Sequence, residues 1–203
     1  MTTPETGSAK SSRGGRPSEC IILGIDPGTL VMGYGVILVQ GNRVSLLEAD
    51  AVRFSGEDDH TLRLRAIFDH VLQVIDRHHP DELAIEAQFF GKNVQSMLKL
   101  GRAQGVAIAA ALQRGLAVVE YAPKRVKQSI TGNGNATKEQ VAAMLHTILG
   151  VKELPARTDA TDALAVAVCH HFAGGNMPRP SSRSGSKGGW GSFIRNNPDR
   201  VVK

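Results

Sequence analysis

An α/β domain built on a mixed five-stranded sheet flanked by helices is the fold that this 203-residue sequence predicts. Three observations carry the prediction. Short apolar runs of strand length crowd the first third of the chain, apolar residues recur at helical spacing between later strand-like runs, and Pro or Gly sits at most of the junctions. Three consecutive strands with an antiparallel start, followed by alternating helices and strands, describe a mixed sheet covered by helices.

The first strand is CIILGID, residues 20–26, a continuous apolar run of the buried kind. PGTLVMGYG punctuates it, and GVILVQ (35–40) returns as the second strand of a hairpin. NRVSLLEADAVRF (42–54) supplies a third strand of mixed alternation. TLRLRAIFDHVLQVIDRHH (61–79) repeats apolar residues at helical spacing until Pro80 stops it. A strand ELAIEAQF (82–89), a long helix from Asn93 to Gln113 and a strand LAVVEYA (116–122) follow. A short helix runs from Pro123 to Ile130, since Pro suits a first helical position. Thr137 and Gln140 fit a capping box that opens a helix at Lys138–Leu149, and a last helix spans Thr158–Phe172.

Length and a 41% hydrophobic content suit one core, so one domain is expected over residues 19–173. The flanks, 1–18 and 174–203, are rich in Gly, Ser, Pro and Arg and poor in periodic apolar positions, which predicts disordered tails. A formal net charge of +5 attracts anions, nucleic acid among them. No apolar run nears the roughly 20 residues that cross a bilayer. The N-terminal stretch also lacks the apolar segment of a secretory signal, so a soluble cytoplasmic protein is expected. Cys20 and Cys169 lie in apolar contexts without CxxC spacing and are expected to be reduced and buried. The adjacent pairs His78-His79 and His170-His171 point in different directions on a helix, which argues against a zinc site.

Four acids carry the chemistry. Asp26 ends a buried strand before Pro27-Gly28; turn chemistry alone would account for it, and so would a carboxylate presented at the sheet's end. Glu86 interrupts the apolar run LAI on a strand buried on both faces, where an unpaired carboxylate costs several kcal/mol; an ion pair or a metal would satisfy it. Asp159 and Asp162 share one face at the start of the last helix, where Asp159 could serve as N-cap and Asp162 could answer the helix dipole. Taken together, acids at two strand ends and one helix start can converge. Oxygen ligands without His or Cys suit Mg²⁺ or Mn²⁺, and two such ions about 4 Å apart serve phosphodiester hydrolysis.

Four separated stretches in one order, GIDPGT (24–29), IEAQFFGKN (85–93), YAPKRVKQSITGNGNATKEQV (121–141) and DATDALAVAVCH (159–170), resemble the RuvC family of Holliday junction resolvases. The resemblance spans nearly all of residues 21–172. It implies an RNase H-like fold, a homodimer, Mg²⁺ or Mn²⁺ with two ions per active site, and paired symmetric nicks that resolve four-way DNA junctions in recombination and repair. It implies RuvA and RuvB branch-migration proteins as partners. By resemblance Asp26, Glu86, Asp159 and Asp162 are the metal-binding acids, Phe89 stands against bases near the crossover, and Lys127 and Lys138 lie near the scissile phosphate. The family tolerates His at the position of Asp159, and the long N-terminal extension departs from its usual pattern.

The DNA-binding assignments also make physical sense from the residues. An exposed Phe89 or Phe90 in a chain with 4% aromatics could stack on an unpaired base for about 1 to 3 kcal/mol, or one of the two could be core. Lys124, Arg125 and Lys127 share a short helix, and TGNGNAT leads Lys138 into a helix N-terminus suited to phosphate; a solvated basic face is the alternative for Lys124 and Arg125. Gly101, Gly105 and Ala109 form a small-residue stripe that could pack on its own sheet or lie at a dimer contact. A two-domain phosphotransferase of the actin type needs a longer chain, a non-catalytic DNA-binding module would not need four acids, and an RNase H acting on hybrids shares the chemistry but not the VKQ and NATKEQ segments.

Overall fold

The computed structural model describes residues 19–54, 59–88 and 93–174. Both predicted tails and Phe89 lie outside the described residues, apart from the glycine at 174. Five strands, β1 (Glu19–Asp26), β2 (Val31–Gln40), β3 (Arg43–Arg53), β4 (Glu82–Glu86) and β5 (Ala117–Tyr121), form one sheet in the order β3-β2-β1-β4-β5. β1, β2 and β3 pair antiparallel, whereas β1–β4 and β4–β5 are parallel. Five helices complete the fold: α1 (His60–His78), α2 (Val94–Gln113), α3 (Pro123–Thr131), α4 (Lys138–Leu149) and α5 (Thr158–Phe172).

β2 begins at Val31, four residues before the sequence predicts. Asp26 pairs with Gly33 and Ile25 with Tyr34, so the ladder runs through VMGY and confines the turn to residues 27–30. The local glycines resemble a loop, but cross-strand hydrogen bonds outweigh their low strand propensity. β4 is shorter than predicted and ends at Glu86, with one further ladder-like bond from Ala87 N–H to the Tyr121 carbonyl, 2.9 Å. The helix signals act where expected. Thr137 and Gln140 close the capping box, and Pro123 opens α3.

Two cores lie on the two faces of the sheet. On one, Leu23, Ile25, Val36, Leu83 and Ile85 pack against Ile67, Val71 and Val74 of α1 and Ala103, Ala107 and Ala110 of α2. On the other, Ile22, Ile37 and Ala84 meet Val126 and Ile130 of α3, Val141 and Leu145 of α4, and Leu164 to Cys169 of α5. Cys20 and Cys169 are buried free thiols, as expected, and burial pushes the Cys169 thiol up.

His170 is a buried polar tie between α5 and the sheet. Its Nδ1 shares a 2.8 Å hydrogen bond with the Tyr121 hydroxyl, and its Nε2 stands 2.8 Å from Glu82 Oε2. Since removing a buried partner exposes the full desolvation cost of the groups it served, His170→Ala is expected to lower stability by about 2–4 kcal/mol. A denaturation midpoint shared with the wild type would contradict this role.

Candidate active site

Parallel pairing places the ends of β1 and β4 side by side. Ile25 is in register with Ile85, so Asp26 and Glu86 are the neighbouring next residues on adjacent strands. The third and fourth acids come from α5, which lies unusually close to the sheet. A Cβ added to Gly24 would stand 2.2 Å from the Ala163 carbonyl oxygen, and one added to Gly33 would stand 1.9 Å from that of Asp159. Because Gly33 pairs with Asp26, this contact sets the first turn of α5 over the end of β1. The small side chains of Ala160, Ala163 and Ala167, all fully buried, complete the close approach. Arg157, the residue before α5, fixes the same end by donating from Nη1 to the Ala51 carbonyl at 2.9 Å.

Asp159 is not the N-cap. That position is Arg157, with no side-chain cap, and Asp159 lies within the first turn. One cleft is lined by Asp26, Glu86, Lys127, Lys138 and Asp162 together with Pro123, Val126, Val141 and Ala165. Asp159 does not line it but is near enough to bear on the charge of both Asp26 and Lys138. The Lys138 ammonium is ion-paired with Asp162, and this contact raises the lysine above its ordinary value.

The cleft carries concentrated negative charge. Burial first, then repulsion from Glu86, Asp162 and Asp159, pushes the Asp26 carboxyl up to about 8, against a smaller opposing pull from Lys138. Burial, followed by Asp162, also raises Glu86, while Lys138 and Lys127 oppose the shift. Such an all-oxygen donor set, crowded and short of positive charge, fits a hard divalent cation in kind. Among the described residues, no three Asp, Glu, His or Cys side chains form a group closed enough to hold an ion as they stand, and Asp162 is turned onto Lys138.

The raised carboxyls make an unusual stability profile. Asp26 holds its proton more tightly folded than unfolded, so between about pH 4 and pH 8 the native state binds more protons and stability falls as pH rises. Glu86 acts in the same direction. In EDTA, the melting temperature is expected to be lower by about 5 °C or more at pH 8 than at pH 6. Millimolar Mg²⁺ is expected to reduce that difference, because a bound cation favours the ionised acids. A profile in EDTA that rises from pH 6 to pH 8 would refute the shift.

The structure separates the other predicted contacts. Lys127 joins the cleft. Lys124 packs its stem against the 131–137 loop, where a Cβ on Gly134 would stand 2.7 Å from its Cγ. The Arg125 guanidinium stands 6.0 Å from the centre of the Tyr121 ring and lines a different depression with Gln128, Cys169 and Phe172. Successive helix positions differ by about 100°, so three basic residues in four cannot all face one cleft. Sequence reasoning missed Gln104, a buried α2 side chain whose Nε2 donates to the Glu86 carbonyl at 3.3 Å and to Glu120 Oε2 at 2.7 Å. A polar residue amid the Ala-rich face of α2 was its only signal.

Residues 22–170 match the family model RuvC, crossover junction endodeoxyribonuclease RuvC. The chain belongs to the RuvC family. The RuvC crossover junction endodeoxyribonuclease of Cytophaga hutchinsonii is 56% identical over 181 residues, 89% of this chain and 88% of that protein. Its counterpart in Porphyromonas gingivalis is 53% identical over 189 residues, 91% and 98% of the two chains. The structure of Thermus thermophilus RuvC in complex with Holliday junction substrate superposes with a TM-score of 0.72 at 38% identity, over 76% of this chain and 94% of that one. The RuvC fold, an RNase H-like α/β sheet, is therefore the architecture of this chain, and the cleft lies at the carboxyl ends of its parallel strands.

Proposed function

We propose that this protein resolves four-way DNA junctions by paired symmetric nicks, hydrolysing phosphodiester bonds at Asp26, Glu86, Asp159 and Asp162. The observation that carries the reading is the meeting of Asp26, Glu86 and Asp162 with Lys127 and Lys138 in one cleft. Family membership and the likeness to a RuvC bound to Holliday junction substrate support it. Two divalent cations, Mg²⁺ or Mn²⁺, would supply an activated water and stabilise the leaving oxygen. The four acids would hold them, and Lys127 and Lys138 would contact phosphate. Phe89 stacks on a base near the crossover, while Lys124 and Arg125 contact backbone away from the cleft.

A four-way junction offers two equivalent cut sites, which a two-fold homodimer matches. The outer face of α2 supports this arrangement. Added Cβ atoms on Gly101 and Gly105 would meet nothing within 4 Å, and Ala109 is exposed, so the stripe does not pack on its own sheet. Val94, Leu98 and Leu112 continue the same face and are 66%, 54% and 60% exposed. With Gly101, Gly105 and Ala109 between them, they recur every three or four residues, a spacing that keeps them on one side of the helix. Leu98→Glu is expected to yield monomers by light scattering; a wild-type protein that is itself monomeric would remove the dimer. Function in the cytoplasm beside RuvA and RuvB belongs to the same reading, and no helix of the described residues is long and apolar enough to cross a membrane.

The deciding experiment compares a synthetic four-way junction, linear duplex and an RNA:DNA hybrid with Mg²⁺, Mn²⁺ or EDTA. Paired metal-dependent nicks on the junction alone establish the reading. Tight junction binding without cutting under either metal demotes the protein to a binding module, and preferential cutting of the hybrid moves it to the RNase H class.

A further inference from the structure

Among the described residues the buried polar side chains are His170, which ties α5 to the sheet, and Gln104, which lies on the opposite face amid Ala103, Ala107 and Ala110 of α2. A polar group in such surroundings is costly unless its hydrogen bonds are made. Gln104 Nε2 donates to the Glu86 carbonyl at 3.3 Å and to Glu120 Oε2 at 2.7 Å. Only the NH₂ end of an amide can serve two acceptors, so the orientation of the side chain follows from its partners. The Glu86 carbonyl needs such a donor for a reason written in β1. Ala87 donates its N–H to the Tyr121 carbonyl of β5 at 2.9 Å. In a trans peptide the C=O points opposite to the N–H, so the Glu86 carbonyl faces away from β5, towards β1. The pairing of β1 with β4 runs to Ile25 and Ile85. The next β1 amide that would reach this carbonyl belongs to Pro27, which has no N–H to give. Gln104 supplies the missing donor from beneath the sheet, while the Glu86 side chain lines the cleft on the face of α5.

We propose that Gln104 is a positioning residue for hydrolysis: by holding the peptide that closes β4, it fixes where the Glu86 carboxylate stands beside Asp26. The proposal rests on the reading of the cleft given above and adds to it a residue that does not line the cleft. Glu120, level with Ile85 on the neighbouring strand, anchors the same amide on β5. Gln104 thereby joins α2 to the ends of two strands, and its bond to the Glu86 carbonyl is the one that bears on the carboxylate.

The test compares full-length wild type, Gln104→Met and Glu120→Ala on a synthetic four-way junction. Met keeps the length and shape of Gln but donates nothing, whereas Glu120→Ala breaks only the tie to β5. Groups that orient a metal-holding side chain contribute about 10- to 100-fold. Single-turnover cleavage of a saturating junction by Gln104→Met is therefore expected to fall about tenfold or more, with junction affinity in EDTA unchanged. Without DNA, the same variant should need about tenfold more Mg²⁺ than the wild type for half of the metal-induced rise in melting temperature. Glu120→Ala should lose less than Gln104→Met in both measurements. Equal losses in the two variants mean that tethering α2 to β5 is what matters, and the proposal falls. It is also overturned if Gln104→Met matches the wild type in either measurement, or if its slower cleavage comes with weaker junction binding. Wild-type protein that cuts no junction with Mg²⁺ or Mn²⁺ defeats the reading of the cleft itself, whereas cutting by the wild type that Gln104→Met equals defeats only the role of Gln104.

Discussion

Asp26→Asn is expected to abolish junction cleavage, with a loss of at least about 10³-fold, or ~4 kcal/mol of transition-state stabilisation. Asn keeps the shape of the side chain but removes the charge at the point where the ends of β1 and β4 meet. Stability should move in the opposite direction. Asp26 is the carboxyl that burial and three acidic neighbours push up to about 8, so its neutral replacement relieves repulsion whenever the acid would otherwise be ionised. In EDTA near pH 8, the variant should melt several degrees above the wild type, and its stability should depend less on pH between about 6 and 8. Single-turnover nicking of a saturating junction together with thermal unfolding reads both effects. An inactive variant that is also destabilised would indicate a structural role for Asp26 and would weaken its assignment as a metal ligand.

Gly33→Ala carries the second large effect, although Gly33 has no side chain to offer the reaction. Its added Cβ would lie 1.9 Å from the Asp159 carbonyl oxygen and 2.4 Å from the carbonyl carbon, and both are backbone atoms. The first turn of α5 must therefore lift by more than 1 Å (about 1.5 Å would restore ordinary contact), carrying Asp159 and Asp162 away from Asp26. Overpacking of this kind costs about 1–3 kcal/mol, and a displacement of that size in a reacting constellation costs on the order of 10²-fold in rate. Gly35→Ala is the internal comparison. Its Cβ would meet chiefly the Leu164 side chain, at 2.7 and 2.8 Å, which can yield more readily than backbone. Denaturant midpoints and saturating cleavage rates should rank Gly33→Ala below Gly35→Ala; equal, near-wild-type rates would mean that the helix position is not what aligns the acids.

Much of this protein is written in local signals. Pro80, Pro123 and the Thr137–Gln140 capping box place helix ends, and uninterrupted apolar runs identify the central strands, so the order of elements and the five-stranded mixed sheet were legible without coordinates. Asp26 and Glu86 stand out because each is a carboxylate at the end of an apolar strand, whereas Asp159 and Asp162 stand out only as two acids three apart at the start of a helix. What stayed hidden depends on partners distant in the chain. Gly24, Gly33 and Gly35 look like loop punctuation until the β1–β2 register shows them side by side beneath α5. Lys127 and Lys138 differ from Lys124 and Arg125 only in where their helices turn, and Gln104 gains its meaning from the Glu86 carbonyl above it. The sequence alone determined which residues carry charge and which elements present them, because hydrophobic periodicity and breakers act over a few residues. Only the tertiary structure decided which charges share a cleft, because that rests on strand register and on a helix-to-sheet distance that glycines at three positions make possible.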